Sequence, residues 1–207
     1  SLLPRPGWDP AYDWRGFVPF EEMPFLYNPD QGYIATANNK IVDDDYPYYI
    51  SNQWAEPSRI ERIEEWLDSK EKLTIEDMKT LQNDWLSPFA REVVPNIVRW
   101  LPQDLNENEI IALNILNGWD FIEDTESAAT LIFHTVLDEL LHNVYEDELA
   151  MIDDKAFDAL VHFSMLPYRN IHWVLEEGLS SWIDDVRTPG HIETRTEIVT
   201  KSFINAV

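Results

Sequence analysis

The chain has 207 residues, 44% of them apolar, which is enough to bury a core and too many for a disordered segment. Its 15 Lys and Arg against 39 Asp and Glu leave a net charge of −24, which excludes the basic footprint that nucleic acid or an anionic membrane surface requires. Cysteine is absent, which removes disulfides, thiolate metal sites and cysteine nucleophiles, and no apolar run approaches the length that spans a bilayer.

Residues 1–15, SLLPRPGWDPAYDWR, carry three prolines and a glycine and read as an irregular loop with aromatic anchors. No signal peptide is read at the start. A serine whose own α-amino group serves as base is a possible nucleophile, but Ser1 opens a proline-rich loop instead of a strand and is not expected to act as one. Short strands are expected at Gly16–Phe20, Pro24–Tyr27 and Gly32–Ala37. The last alternates Ile34 and Thr36 with Tyr33, Ala35 and Ala37. Asn28-Pro29-Asp30-Gln31-Gly32 is a turn sequence, so the region reads as antiparallel hairpins.

After Pro57 the period changes from 2 to 3.6. Ser58 and Glu61 form a capping-box pattern ahead of Ile60, Ile63, Trp66 and Leu67. Thr74 opens a second helix with a stripe of Ile75, Met78, Leu81 and Trp85, and Ser87-Pro88 opens a third. Further helices are expected at 106–117, closed by Gly118, then at 126–145, 154–165, 170–182 and 193–207. The last, TRTEIVTKSFINAV, shows no cap or stop signal. Ile198, Val199, Phe203, Ala206 and Val207 are therefore expected to seek a partner, either in a natural C-terminal helix or in a piece of a longer protein. The fold class is mainly α with a short N-terminal antiparallel β portion, divided into residues 1–57 and 58–207.

Several side-chain patterns bear on chemistry. His134, Asp138 and His142 fall at i, i+4 and i+8, and Glu139 with His142 is half of a di-iron helix motif. No second Glu-x-x-His exists, so paired or solvent-facing histidines are the expectation. The runs Asp43–Asp45 and Asp184-Asp185 lack the spacing of a calcium loop and read as solvated loops or helix ends. No glycine-rich phosphate loop and no G-x-S-x-G elbow occurs. The stretch GYIATANNK ends its strand in two asparagines. Taken alone this is a turn; the alternative is a site in which an amide N–H₂ is aimed at a reacting oxygen.

PFLYNPDQGYIATANNKIVDDDYPYYISNQW, followed by Ser58-Arg59-Ile60-Glu61-Arg62-Ile63, resembles the penicillin acylase (penicillin amidase) family. So do PGWDPAYDWRGFVPFEEMP before it and LTIEDMKTLQNDWLSPFA, NGWDFIEDTESAATLIFHTVLDELLHNVYEDEL and SSWIDDVRTPGHIET after it, in order along nearly the whole chain. The resemblance implies an N-terminal-nucleophile hydrolase of αββα architecture, with residues 1–57 in its core and 58–207 in its helical region. A precursor of that family cuts itself, and the larger chain then begins with a serine that attacks an amide carbonyl. By position, Asn38 matches the family's oxyanion donor, and Arg59 matches the arginine that supports the site.

The resemblance further implies that this chain is a fragment of the large chain. The nucleophile, the small chain and the acyl pocket are missing, and the fragment alone is expected to be inactive. The implied substrate is a small N-acyl amide, and the implied compartment is periplasmic or extracellular. The implied partners are the remainder of the parent chain and the small chain, with self-association through uncovered apolar faces expected. Some members hold Ca²⁺ through an aspartate shortly after the asparagine strand. Here that place reads Tyr48-Tyr49-Ile50, so no metal or cofactor is expected. A reading from another class is a non-catalytic, acidic, aromatic-rich helical domain that binds a protein partner.

Overall fold

The structure is a computed structural model that describes residues 4–163, 165–177 and 181–207. It divides into two compact units. One comprises the residues up to Ile34 together with Ile41–Ile50, and the other comprises Ala35–Lys40 and Ser51–Val207.

The first unit contains no strand among the described residues, which corrects the expected hairpins at Gly16–Phe20 and Pro24–Tyr27; Gly32–Ala37 is likewise not a strand. Its regular pieces are single 3₁₀ turns at Pro10–Tyr12, capped by the Asp9 carboxylate, and at Phe20–Glu22. The expected turn does form: Gly32 N–H donates to Pro29 O at 2.9 Å, with Asn28 and Gly32 both at positive φ. The physical reason for the missing strands is the lack of a ladder and of a second apolar layer. Phe17, Phe25, Leu26, Tyr27 and Ile34 are all exposed, and an isolated hairpin is marginal without a buried face. Polar contacts between distant positions tie the unit together: Tyr46 Oη donates to Glu22 O at 2.8 Å, and Tyr48 Oη donates to the Glu22 carboxylate.

The second unit is helical, with α1 Ser58–Asp68, α2 Ile75–Gln82, α3 Pro88–Arg99, α4 Glu107–Asn117, α5 Ala128–Ala150, α6 Ala156–Phe163, α7 Leu166–Glu177 and α8 Arg195–Ala206. Local chemistry sets most starts. Thr74 and Asn106 form capping boxes with Asp77 and Glu109, while Ser87 accepts from Ala90 N–H ahead of Pro88. The core is built on α5, whose Phe133, Val136, Leu137, Leu140, Leu141 and Val144 repeat at helical spacing and are buried. Helices α4, α6 and α8 pack on it, and α3 joins α7.

Helix α8 corrects a second expectation. Thr194 caps it in a box with Glu197, and Ile198, Val199 and Phe203 are buried within this chain, mainly against α5. Two polar ties fix it there: Asn143 Nδ2 donates to Ser202 Oγ at 2.9 Å, and Asn205 Nδ2 donates to Glu139 Oε2 at 3.0 Å. Helix α2 departs in the opposite sense. None of its residues is buried, and Ile75 of its apolar stripe is 76% exposed.

Candidate functional site

Ala37 and Asn38 lie in the irregular segment Ala35–Lys40 of the second unit, and Asn38 adopts φ +60°, the left-handed region that asparagine enters more readily than most residues other than glycine. Three bonds hold it. Ala55 N–H donates to Asn38 O at 2.8 Å, and Arg59 Nη2 donates to Ala37 O at 2.7 Å and to Asn38 Oδ1 at 2.8 Å. A guanidinium has only donors, so the amide atom that faces it must be the oxygen. That fixes the amide's orientation and turns Nδ2 away from Arg59. Nδ2 makes no hydrogen bond among the described residues, so two aligned N–H groups are presented at an exposed position.

Asn39 is occupied differently. Its Oδ1 accepts from Ala37 N–H at 3.0 Å and its Nδ2 donates to Lys40 O at 3.1 Å. Both ends of this amide close the turn, an ordinary role for asparagine. Of the pair, Asn39 is the turn residue and Asn38 is the one with a free donor.

Arg59 is the second residue of α1, so the start of that helix sets its position. The expected Ser58–Glu61 capping box is absent. The N-cap is Pro57, whose side chain offers no acceptor. The carboxylate of Glu56 takes over: Ser58 N–H donates to Glu56 Oε1 at 2.9 Å, and Ser58 Oγ donates to Oε2. Sequence reasoning missed Glu56. The signal was a proline at the cap position preceded by a carboxylate.

Beside Arg59 lies an open cavity of about 550 Å³ whose lining includes Arg62, Leu81, Asp84, Trp85 and Glu123. Arg62 grips Asp84 with two bonds, at 3.0 and 2.6 Å, and this pairing is the main reason the Asp84 carboxyl lies below its ordinary range. Across the cavity, the Glu123 carboxylate faces His134 Nε2 at 3.3 Å. Each shifts the other: Glu123 is lowered chiefly by His134, with a smaller contribution from Ser87, and His134 is raised by Glu123 against the opposing effect of burial. An antiparallel bridge between Leu86 and Ile122 joins the two walls, next to Phe121 at φ +62°. These ion pairs and the bridge connect residues 11 to 36 positions apart and were not visible in sequence spacing.

The other sequence candidates do not converge. His134 faces Glu123, while His142 Nδ1 lies 3.6 Å from Glu146 and its ring packs on Phe157, so the i, i+4, i+8 series does not form one site. Asp185 is paired with Arg187 at 2.8 and 3.0 Å, and Asp184 accepts from Glu193 N–H. Ser1 lies outside the described residues. A calcium ion does not fit the place where some relatives carry one. Tyr48-Tyr49-Ile50 offers no carboxylate, and no three His, Asp or Glu side chains converge among the described residues.

Comparison with known proteins gives the family of the chain. The family described as penicillin amidase matches residues 1–207. An acyl-homoserine lactone acylase, QuiP, from Pseudomonas syringae pv. tomato is 30% identical over the whole of this chain, which covers 26% of that protein. A penicillin acylase 2 proenzyme from a Pseudomonas species is 42% identical over 64% of this chain and 17% of its own length. Penicillin G acylase of Escherichia coli is 40% identical over 35% of this chain and 8% of its own. The chain thus spans about a quarter of the length of the curated relatives that match all of it.

Proposed function

The chain belongs to the penicillin amidase family, and from that premise we propose that it is part of the large chain of an amidohydrolase that cleaves the amide of an N-acyl substrate. The reaction proposed is acyl transfer to an N-terminal serine followed by hydrolysis, on an αββα N-terminal-nucleophile scaffold, and the nucleophile is assigned to no residue of this chain. The names of the relatives supply the substrate class: acyl-homoserine lactones and penicillins are both N-acyl amides. The exposed aromatics of the first unit, among them Trp8, Trp14, Phe17 and Phe25, are read as surface that the rest of the enzyme covers.

The observation that carries this reading is the Asn38 amide. When a nucleophile adds to an amide carbonyl, negative charge moves onto its oxygen. A donor held in place beforehand stabilises that charge without reorganising. Asn38 Nδ2 suits this role because Arg59 fixes Oδ1 and leaves both N–H groups unpaired. Arg59 has two effects: it orients the donor, and its charge polarises the amide it grips. The effect falls on the transition state more than on bound substrate, so kcat is where a loss should appear.

The test uses the complete reading frame that contains this segment, assayed on an N-acyl homoserine lactone and on a penicillin. Asn38→Ala is expected to lower kcat by about 10²–10³, near 3 kcal/mol, with a smaller change in KM. Asn39→Ala is expected to keep kcat and lose thermal stability, because its amide closes the turn. Near-normal turnover by Asn38→Ala would overturn the proposal. Loss of turnover in Asn39→Ala alone would assign the role to the neighbouring residue.

A further inference from the structure

We infer that Glu56 is a positioning residue for the Asn38 donor, acting through the first turn of α1; this rests on the oxyanion reading above and extends it. Five hydrogen bonds and the start of α1 make the case. Ala55 N–H holds the Asn38 carbonyl, Glu56 holds Ser58 N–H and Oγ, Ser58 is the first residue of α1, and Arg59 returns to Ala37 O and Asn38 Oδ1. The five residues 55–59 therefore close a loop onto Asn38 from two sides, one through the backbone and one through the guanidinium.

Glu56 carries this loop because nothing else caps the helix. Pro57 occupies the N-cap position with no side-chain acceptor, and its ring nitrogen has no N–H to donate. Ser58 is buried, so water does not replace the carboxylate at its N–H. A negative group at this end also suits the positive pole of the helix. With Glu56 removed, the first turn of α1 frays and Arg59 loses its fixed origin. Asn38 Oδ1 then loses its partner, and the amide is free to rotate away from the orientation that presents Nδ2.

The test is a kinetic cycle in the complete enzyme. Glu56→Ala is expected to lower kcat by roughly two- to thirtyfold, bounded by the worth of one N-cap, with KM nearly unchanged. Glu56→Asp is expected to restore kcat, since a shorter carboxylate reaches the N–H two residues on as an Asx turn. In an Asn38→Ala background, Glu56→Ala should add less than about a twofold loss, because the group it positions is gone. A purely structural residue would lower the melting temperature and leave kcat alone, or would multiply its loss onto that of Asn38→Ala. Either result overturns the inference. If Glu56→Ala fails to fold, Glu56→Gln takes its place in the cycle: it keeps an acceptor and loses the charge, and at least a twofold loss of kcat confined to the Asn38 background is required. If Asn38→Ala itself keeps full kcat, the oxyanion reading falls and Glu56 falls with it. If Asn38→Ala is impaired and no Glu56 variant is, only the positioning role falls.

Discussion

Replacing Phe203 by alanine tests whether the last helix belongs to the core or awaits a partner. The Phe203 side chain is 0% exposed and lies on α8 beside Ile198 and Val199, packed mainly against α5. Removing a fully buried phenylalanine costs the transfer energy of the ring plus the cavity it leaves, about 3–5 kcal/mol together. For a domain of this size each kcal/mol moves the melting temperature by about 2–4 °C, so a fall of roughly 6–20 °C is expected. The control is Ile204, the next residue on the same helix and 45% exposed, whose truncation should cost under about 0.5 kcal/mol. Urea unfolding of both variants of this chain, followed by tryptophan fluorescence, gives the two midpoints with a common slope. Equal midpoints for the two variants, or a Phe203→Ala cost under about 1 kcal/mol, would refute the packing of α8 on α5.

Three further outcomes are expected. Arg59→Lys in the complete enzyme should lower kcat by about tenfold, since a point charge does not reproduce the two-acceptor grip on Ala37 O and Asn38 Oδ1; unchanged kcat would remove Arg59 from the site. The Glu123–His134 pair should give a stability maximum. His134 is raised, so its contribution is complete below its unfolded value of 6.5 and is lost as pH rises through the higher folded value. Glu123 is lowered, so its contribution is complete above 4.5 and is lost as pH falls through the lower folded value. The difference in melting temperature between wild type and His134→Gln should therefore peak between pH 4.5 and 6.5. Burial, and then Asp147, push the Glu148 carboxyl up to about 7, so the folded state binds the extra proton between pH 4.5 and about 7 and stability falls across that range. Glu148→Gln should melt higher than wild type at pH 8 and lose most of that gain near pH 4, and a gain equal at both would contradict it.

The helices were legible because their determinants are local. Thr74, Ser87-Pro88 and Asn106 each satisfy N–H groups within three residues, and the periodic stripe of α5 names its own buried face. Ser58 misled for the same reason: its pattern fits a capping box, but a carboxylate two residues upstream takes its N–H first. The strands were over-read. Alternation at Ile34 and Thr36 marks a residue's compatibility with a sheet, whereas a sheet exists only where a second strand supplies the ladder, and none does among the described residues. The tie between Asn38 and Arg59 spans 21 residues and has no signature in spacing; it was reachable only through family resemblance.

Helix α2 has a complete capping box and no buried residue, and its Lys70–Asp77 ion pair lies near the surface. Its local code is strong and its tertiary anchorage is weak, so it can melt and reform while the α5 core stays intact. Leu81 near its end, with Asp84 and Trp85 just beyond, lines the cavity beside Arg59. Of these three residues only Leu81 belongs to α2; Asp84 is held by Arg62, and the Trp85 carbonyl accepts from Glu123 N–H at 2.8 Å. Fraying of α2 is therefore expected to open the cavity at Leu81, and faster amide hydrogen exchange in α2 than in α5 would show it.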